Sequence, residues 1–320
     1  APAVFDLTAA WAFNGAAPPA TEECYDFVAN IERWQGLIES VPLPAGNAYW
    51  RRKGAVAVAG LLTSLIQSPG YGNLSAKLGI GARTLGHLSH TYFWDTMTTV
   101  PAQAQFDPDS GAEVIENFTQ YLGNHDCPPF ALSAFPVLGQ AKRAWRGSQA
   151  PIAAWAVQKR AACTGDAGLV ERLYPALTAI DESWFEHADP GGHGIPVWMN
   201  TGATADDSPL YDQYAGAADW HNIYLPPIAS VCLCSYLLMD LKCLQQMAAT
   251  LGREDEAARW RDRAAALDRR IIELLWHDDE KIFYDRDLTT FEPTRVKTFY
   301  NLLPLWAGVS LSAADAHAAI

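Results

Sequence analysis

Three stretches of the sequence place aromatic rings beside carboxylate, amide or hydroxyl groups, at predicted helix starts or in loops. This combination suits a sugar-like ligand, which has apolar faces and polar edges. The chain has many rings that could supply the apolar part, with 12 Trp, 12 Tyr and 12 Phe, although most of them are expected to pack in the core. The three stretches are Tyr92–Thr96, Gly147–Pro151 and Asn200–Tyr211.

Asp206 and Asp207, in the third stretch, are the carboxylates with the clearest chemical use. Cleavage of a glycosidic bond needs one carboxylic acid to protonate the leaving oxygen and a second carboxylate to activate water or attack the sugar. Because adjacent side chains usually diverge, these two residues are not expected to form that pair. We predict that one is the acid and that the other holds the loop through backbone N–H groups. The structural alternative is an Asp-Asp helix cap before Ser208 and Pro209.

The elements that would position these residues are mainly helices. The apolar spacing is helical from Asn47 to Gln67, and a Gly-rich connector follows at residues 68–86. Paired helices joined by loops of differing length favour a toroid of helix hairpins, in which the long loops gather at one end and build the site. A helical solenoid is the alternative, but no fixed repeat length supports it. Further helices are predicted at residues 109–122, 151–163, 226–251, 254–276 and 297–308, with two more beginning at Asp166 and Ser312.

Composition restricts the classes of partner. The formal net charge of −13 argues against a nucleic-acid surface, which needs clustered Lys and Arg. No run of about 18 apolar residues is free of charge, so we predict no membrane span. The six cysteines form no C-x-x-C pair and are interpreted as mostly buried thiols. His87 and His90 could share a helix face, but no third ligand is evident, so we predict neither a metal site nor a cofactor.

Taken in order, the three stretches resemble glycoside hydrolase family 63, which includes mannosylglycerate hydrolases and processing α-glucosidases and is more distantly similar to trehalases. That family shows an aromatic-Trp-Asp element, then Ser-Gln-Pro-Pro before a helix, then a Ser-Gly-Met-Asp-Asp/Asn-Ser-Pro loop. Further segments resemble the family's T-G-D…Y-P-x-L, W-D…F-Y-D-x-D and P-L-W-A-G motifs. The segments that carry the resemblance are Phe93–Asp95, Ser148–Pro151, Thr201–Pro209, Thr164–Pro175, Leu275–Asp287 and Leu303–Gly308.

This resemblance implies an all-α fold, an (α/α)6 toroid, and hydrolysis of an α-linked glucoside or mannoside with inversion at the anomeric carbon. It implies that Asp206 is the general acid, with Asp207 as the second choice. The pKa of the acid would have to be raised by burial or by a neighbouring negative charge. The expected substrate is an oligosaccharide or a small glycoside. The residues expected to bind it are Tyr92, Phe93, Trp94, Asp95 and Gln149.

Three of these binding residues also have structural interpretations, which stay open at this point. Trp94 could be a core ring, Asp95 an acidic residue that favours a helix start, and Gln149 a helix cap. The loop around the acid departs from the family pattern as well. Asn200–Gly202 stands where the family has Glu-Ser-Gly, and the loop is longer by two residues, Thr204 and Ala205.

The expected catalytic base is not found in the sequence. In the family it is a Glu far beyond the P-L-W-A-G helix, so we expect it outside these 320 residues. We count about eight or nine of twelve helices, and expect a second polypeptide or a C-terminal segment to complete the toroid and cover its apolar faces. Residues 1–45 are expected to be an N-terminal strap or tail, and residues 46–320 the N-terminal and central part of the toroid.

Two other functions remain compatible with the sequence. The first is a carbohydrate-binding protein that kept the toroid and lost catalysis. The second is another helical-toroid enzyme, such as a sugar epimerase or a polysaccharide lyase. Reactions of that kind use His or Tyr bases, and the candidate bases near loops are His125, His193 and His221.

Overall fold

The chain divides into two compact units, residues 1–60 and 61–320. The domain boundary predicted near residue 45 stays a prediction. In the first unit, the Lys53 ammonium lies over the Tyr49 ring at 5.6 Å from the ring centroid. A computed structural model of the chain describes residues 32, 36, 39, 49, 53–54, 65–67, 77–80, 90–105, 108, 112–119, 131–133, 141–142, 149–189, 191–198, 209–212 and 227–320.

The second unit is mainly helical, which confirms the predicted all-α class. Its strands are short and pair antiparallel as β1-β2, β3-β4-β5, β6-β9 and β7-β8. None of the helices described is long and apolar enough to cross a membrane. The helices are α1 (Phe93–Gln103), α2 (Ala112–Thr119), α3 (Ala153–Thr164), α4 (Ala167–His187), α5 (Pro209–Asp212), α6 (Val231–Thr250), α7 (Glu254–Leu275), a 3-10 helix (Phe299–Leu302), α8 (Leu303–Trp306) and α9 (Ala313–Ala318). The strands are β1 (Leu65–Gln67), β2 (Lys77–Ile80), β3 (His90–Tyr92), β4 (Ala131–Ser133), β5 (Ala141–Lys142), β6 (Ile228–Ala229), β7 (Trp276–His277), β8 (Ile282–Phe283) and β9 (Arg286–Asp287).

One helix prediction is wrong at its C-terminal end. Residues Leu65–Gln67 were expected to be helical, but they form β1. Leu65 pairs with Ile80 of β2, which lies inside the predicted Gly-rich connector. A hydrogen-bonded partner strand therefore overrides the local apolar spacing, since pairing over a few residues depends on the tertiary context.

Helices α3 and α6 run parallel to one another, and α1 begins beside the start of α3. At the start of α3, Ala154 N donates to Asp240 of α6, and one turn further on Gln158 of α3 donates to Gln246 of α6. From the first contact to the second, residue numbers increase along both helices, so the two helices point in the same direction. Near the start of α1, Trp94 N donates to Gln149, which lies just before α3.

Helices α4 and α7 form an outer layer, and these two helices are also parallel to each other. Arg253, just before α7, stacks over the ring of Tyr174 in α4, and further along Arg259 pairs with Glu182 at 2.7 Å. Short turns at Gly165–Asp166 and Leu251–Arg253 join each outer helix to the inner helix before it, so each pair is an antiparallel hairpin. Gly165 ends α3 with φ of 75°, a left-handed conformation that favours glycine.

Burial separates the two layers. Fifteen of the 20 residues of α6 are buried, all around the helix, as expected for an inner helix. In α7 the buried residues recur every three or four positions, so only one stripe faces the core. Parallel inner helices, each followed by an outer helix, are the arrangement of an α/α toroid. The buried stripe of α7 consists of Ala257, Trp260, Ala264, Leu267, Ile271 and Leu275.

The inner helices α1, α3 and α6 receive their N-terminal caps from distant residues. The residues at their own N-cap positions, Tyr92, Ile152 and Ser230, donate or accept no side-chain cap bond. Outer helix α4, in contrast, has a local cap, because the Asp166 side chain accepts from Leu169 N at 3.0 Å. The first amides of an α-helix lack intrahelical partners, so each inner helix needs an acceptor from elsewhere.

Three side chains fill this role and are called the remote caps below. The Gln149 Oε1 atom accepts from α1, Asp240 accepts from α3, and Asp285 Oδ1 accepts from Val231 N of α6 at 2.6 Å. Each lies 54 to 86 residues from the amide that it caps. The remote caps therefore tie the start of each inner helix to a distant part of the chain: α1 to the residues just before α3, α3 to the middle of α6, and α6 to the segment between β8 and β9.

The remote cap Asp285 leads to a pH prediction. Burial raises the pKa of Asp285 to about 6, although the Val231 N–H and the Ser230 hydroxyl oppose this rise. The native state then binds the proton more tightly than the unfolded chain. The stability contributed by protonated Asp285 is therefore fully present below about pH 4 and is lost as the pH rises through about 6.

In Asp285→Asn, this loss should disappear, because the amide keeps an acceptor oxygen for Val231 N and cannot ionise. We expect the free energy of unfolding of the variant, relative to the wild type, to rise by on the order of 3 kcal/mol between pH 4 and pH 7. Urea unfolding of both proteins at several pH values measures this difference. A difference that is the same at every pH would contradict the prediction.

Candidate active site

Trp94 and Asp95 occupy the first turn of α1, directly after strand β3. The chain has no room for a loop here, so the strand sets the direction in which the helix begins. The Asp95 side chain is exposed, and its charge favours the N-terminus of a helix. Trp94 is half-buried and packs against the core, which leaves part of its ring accessible at the same helix end.

Gln149 joins the second sequence stretch to the first. Its Oε1 atom lies 2.8 Å from Trp94 N and accepts that hydrogen bond across 55 residues of chain. The Gln149 side chain is only 6% exposed, so the bond is well shielded from water. The structure thus brings together three sequence-predicted residues, Trp94, Asp95 and Gln149, and gives Gln149 the capping role that was one of its interpretations.

An aromatic cluster, defined as Trp94, Trp155, Tyr236 and Trp306, surrounds this junction. The Trp94 and Tyr236 ring centroids are 4.8 Å apart, and Trp306 lies 6.3 Å from Tyr236 and 6.1 Å from Trp155. Burial raises the pKa of Tyr236 far above its usual range, so its hydroxyl stays protonated at any physiological pH. The cluster contains rings from α1, α3, α6 and α8, close to the starts of the inner helices.

Sequence reasoning missed three members of the aromatic cluster as site candidates. Trp306 is half exposed and belongs to the P-L-W-A-G motif, which was recognised only as a family signature. Trp155 follows the Ser-Gln-Ala-Pro segment by four residues, and that proximity was an available signal. Tyr236 lies in α6, which is apolar on all sides. The spacing of residues in such a helix cannot show whether a ring belongs to a site or to the core.

The remaining predicted binding residues have core or intermediate positions. Phe93 is fully buried and packs edge-to-face on Phe118, with ring centroids 5.4 Å apart. Its ring therefore contributes to the core beneath α1. Tyr92 is half-buried, and its carbonyl accepts from the Thr96 hydroxyl at 2.7 Å. Of the histidines proposed as alternative bases, His193 packs against Phe291 at 5.7 Å, and His125 and His221 lie outside the described residues.

Asp206 and Asp207 also lie outside the described residues. Trp198, the last described residue before them, donates from Nε1 to Cys232 Sγ at 3.4 Å, in the first turn of α6. Tyr236 of the aromatic cluster follows Cys232 by four residues, one helical turn. Trp198 thus contacts α6 one turn away from Tyr236 of the aromatic cluster.

The arrangement is suited to bind a ligand with apolar faces and hydroxyl edges. The aromatic cluster offers ring faces, the exposed Asp95 carboxylate can accept hydrogen bonds from hydroxyls, and the helix starts present partial positive charge. In the part of the chain that the structure describes, no three His, Cys, Asp or Glu side chains are grouped so that they could hold a metal ion.

Solved structures of other proteins share this fold. A family GH63 mannosylglycerate hydrolase from Thermus thermophilus in complex with glucose is 19% identical, with a TM-score of 0.66 over 82% of this chain and 73% of that chain. The same enzyme in complex with Tris and D-glycerate gives 19% identity and a TM-score of 0.64, over 82% and 74% of the two chains. A GH78 family rhamnosidase of Bacillus sp. GL1 gives 17% identity and a TM-score of 0.52, over 72% of this chain and 22% of that chain.

These likenesses are below 25% identity and therefore show the fold, an all-α toroid like that of the GH63 enzyme. The family assignment comes from the sequence. A family model described as the mannosylglycerate hydrolase MGH1-like glycoside hydrolase domain matches residues 73–320, which is most of the chain. Trp94, Asp95, Gln149 and the aromatic cluster all lie within the matched region. The chain therefore belongs to the MGH1-like glycoside hydrolase family, as the resemblance to family 63 had predicted.

Proposed function

We propose that this glycosidase hydrolyses an α-linked glucoside or mannoside with inversion at the anomeric carbon. The observation that carries the proposal is the junction of Trp94, Asp95 and Gln149 beside the aromatic cluster, at the starts of parallel inner helices. The MGH1-like family match and the GH63 fold support the reaction class. The name of the Thermus thermophilus enzyme suggests mannosylglycerate as one substrate to test.

In this proposal Trp94 and the rings beside it contact the apolar face of the sugar, while Asp95 accepts hydrogen bonds from its hydroxyls. Gln149 fixes the start of α1 and holds Trp94 and Asp95 in place. Tyr92 contributes to the same binding region. Phe93 supports it from the core, since its ring is fully buried.

Asp206 is proposed as the general acid, with Asp207 as the second choice. It would protonate the glycosidic oxygen as the bond to the anomeric carbon breaks, while a second carboxylate deprotonates the attacking water on the opposite face of the sugar. Inversion requires the two carboxyl groups to be about 6.5–9.5 Å apart, so that water fits between them. We assign the base to no residue of this chain, and propose that a further segment or a partner polypeptide supplies it.

The experiment is a hydrolysis assay on a panel of α-glucosides and α-mannosides that includes trehalose and mannosylglycerate. It is run on the 320-residue chain and on the product of the complete gene, and NMR records the anomer first released. A β-anomer from an α-linked substrate supports the proposal. An α-anomer as first product would show retention, and the proposed mechanism would be wrong. Activity of the 320-residue chain alone would place the base within it.

The same assay separates the two alternative functions. Sugar binding by calorimetry with no release from any panel member would favour a binding protein that has lost catalysis. Formation of an isomer or an unsaturated product without uptake of water would favour an epimerase or a lyase.

A further inference from the structure

Asp240 lies in the middle of α6 and is completely buried. Its two carboxylate oxygens accept from two consecutive amides at the start of α3, Oδ2 from Ala154 N at 2.9 Å and Oδ1 from Trp155 N at 2.7 Å. Each oxygen of the carboxylate therefore accepts one hydrogen bond from α3, and Asp240 caps the start of that helix at two amides.

The start of α3 has no other means of satisfying these amides. Its N-cap residue, Ile152, makes no side-chain cap bond, and residues 150–154 are all buried. Water is therefore excluded from the helix end, and buried N–H groups without an acceptor destabilise a fold strongly. The position of α3 along α6 thus depends on Asp240.

Gln149 lies only four residues before the first residue of α3, so its position depends on where α3 begins. The connecting residues include Pro151, whose backbone φ is fixed by its ring, and the fully buried Ala150. This connection is short and stiff. A displacement of the start of α3 would therefore move Gln149 and break or lengthen its 2.8 Å bond to Trp94 N.

Asp240 also lies close to two members of the aromatic cluster, Tyr236 and Trp155. Tyr236 precedes it by one helical turn, so the two side chains lie on the same face of α6, and Tyr236 stacks beside Trp94. Trp155, whose amide Asp240 accepts, carries a ring that contacts Trp306. Asp240 is thus linked to two members of the aromatic cluster, to Tyr236 along α6 and to Trp155 through its amide.

We propose that Asp240 is a positioning residue for glycoside hydrolysis, which holds α3 in register with α6 and thereby places Gln149 and Trp94 for the sugar. The inference rests on the proposed function and deepens it. Asp240 touches no substrate. It acts through the start of α3, Pro151 and Gln149.

The test compares Asp240→Asn with the wild type. Asparagine has the same shape but only one acceptor oxygen, so its NH2 group must face one of the two α3 amides. We expect kcat/KM on the best panel substrate to fall roughly 10–100-fold, because small misplacements of binding groups have effects of this order. The matched control is Asp166→Asn at the local cap of α4, for which we expect wild-type kcat and KM at a temperature where all three proteins are folded.

A double-mutant cycle with Gln149→Leu tests the route of the effect. If Asp240 acts through Gln149, the double variant loses little more activity than the more damaging single variant, since residues in one network are not additive. Losses of Asp240→Asn and Gln149→Leu that multiply would overturn the proposal, as would wild-type kinetics in Asp240→Asn.

Amide hydrogen exchange gives a readout that needs no substrate. The proposal predicts faster exchange at Trp94 N as well as at Ala154 N and Trp155 N in Asp240→Asn. Faster exchange at the two α3 amides alone would reduce Asp240 to a helix cap and overturn the proposal. If the wild-type product of the complete gene releases no sugar from the panel, the proposed function fails, and the exchange comparison still decides this inference.

A second variant avoids the buried carboxylate altogether, in case Asp240→Asn does not fold. Pro151→Ala loosens the connection between Gln149 and α3 and leaves both bonds of Asp240 in place. We expect faster exchange at Trp94 N with unchanged exchange at Ala154 N. Unchanged exchange at Trp94 N would show that Gln149 does not follow α3, and the proposal would be wrong.

Discussion

Replacing Asp206 with Asn is expected to lower the release of sugar from unactivated α-glycosides by about 100-fold to 10,000-fold. The amide cannot donate an acidic proton to the glycosidic oxygen, so an alkoxide would have to leave without protonation. KM should change much less, because the acid acts on the bond that breaks. Steady-state kinetics on the best substrate of the panel, with the complete gene product, measures both effects.

The leaving group makes this test specific for a general acid. A nitrophenyl glycoside of the same sugar releases a stabilised phenolate and needs little protonation, so Asp206→Asn should retain most of its activity on it. The matched control is Asp207→Asn, which we expect to retain activity on both substrates. If Asp207→Asn instead shows the selective loss on the unactivated glycoside, Asp207 is the acid and our first choice is wrong.

The largest effect on stability is expected for Trp260→Ala. Among the residues that the structure describes, Trp260 is the largest fully buried side chain. Its Nε1 donates to the Tyr174 hydroxyl at 2.9 Å, which joins outer helix α7 to outer helix α4. Removal of the indole leaves a cavity and takes away the hydrogen bond that its N–H donates to the Tyr174 hydroxyl. We expect the free energy of unfolding to fall by about 3–5 kcal/mol, as measured by urea unfolding at neutral pH.

Tyr174→Phe is the matched control for the hydrogen bond alone. It keeps the ring and leaves the indole N–H without its acceptor, so its expected loss is about 1–3 kcal/mol. The difference between the two variants then reports the packing of the indole. A loss in Trp260→Ala no larger than that in Tyr174→Phe would contradict the assignment of Trp260 as a major contact between the outer helices.

The helices with one apolar stripe were predictable from local sequence. Helix α7 was expected at residues 254–276 and spans Glu254–Leu275, and the helix expected to begin at Asp166 is α4, with Asp166 as its N-cap. The features that predict these helices lie in their own sequence: an apolar repeat of about 3.6 residues and, for α4, a capping side chain. The start of α6 was predicted five residues too early, because Ile228 and Ala229 pair with β9 instead of joining the helix.

The candidate site was predictable only where motifs marked it. The motif resemblance selected Trp94, Asp95 and Gln149, and the structure joins Trp94 to Gln149 by a hydrogen bond across 55 residues of chain, with Asp95 next to Trp94 in α1. Asp240 has no such mark, since a carboxylate in an apolar helix gives no indication of which distant amide it accepts. The predictions for Asp206 and Asp207 stay predictions, because both residues lie outside the described part of the chain.

The remote caps have a consequence for the order in which the chain can fold as it is synthesised. The amides at the start of α3 cannot be capped until Asp240, 86 residues after Ala154, has left the ribosome. At about 5–20 residues per second, the delay is about 4–17 s, during which the first turn of α3 has open amides. The α6 end waits in the same way for Asp285. Nascent chains arrested shortly before and shortly after Asp240 should therefore differ in the protease sensitivity of the Gln149–Trp155 segment.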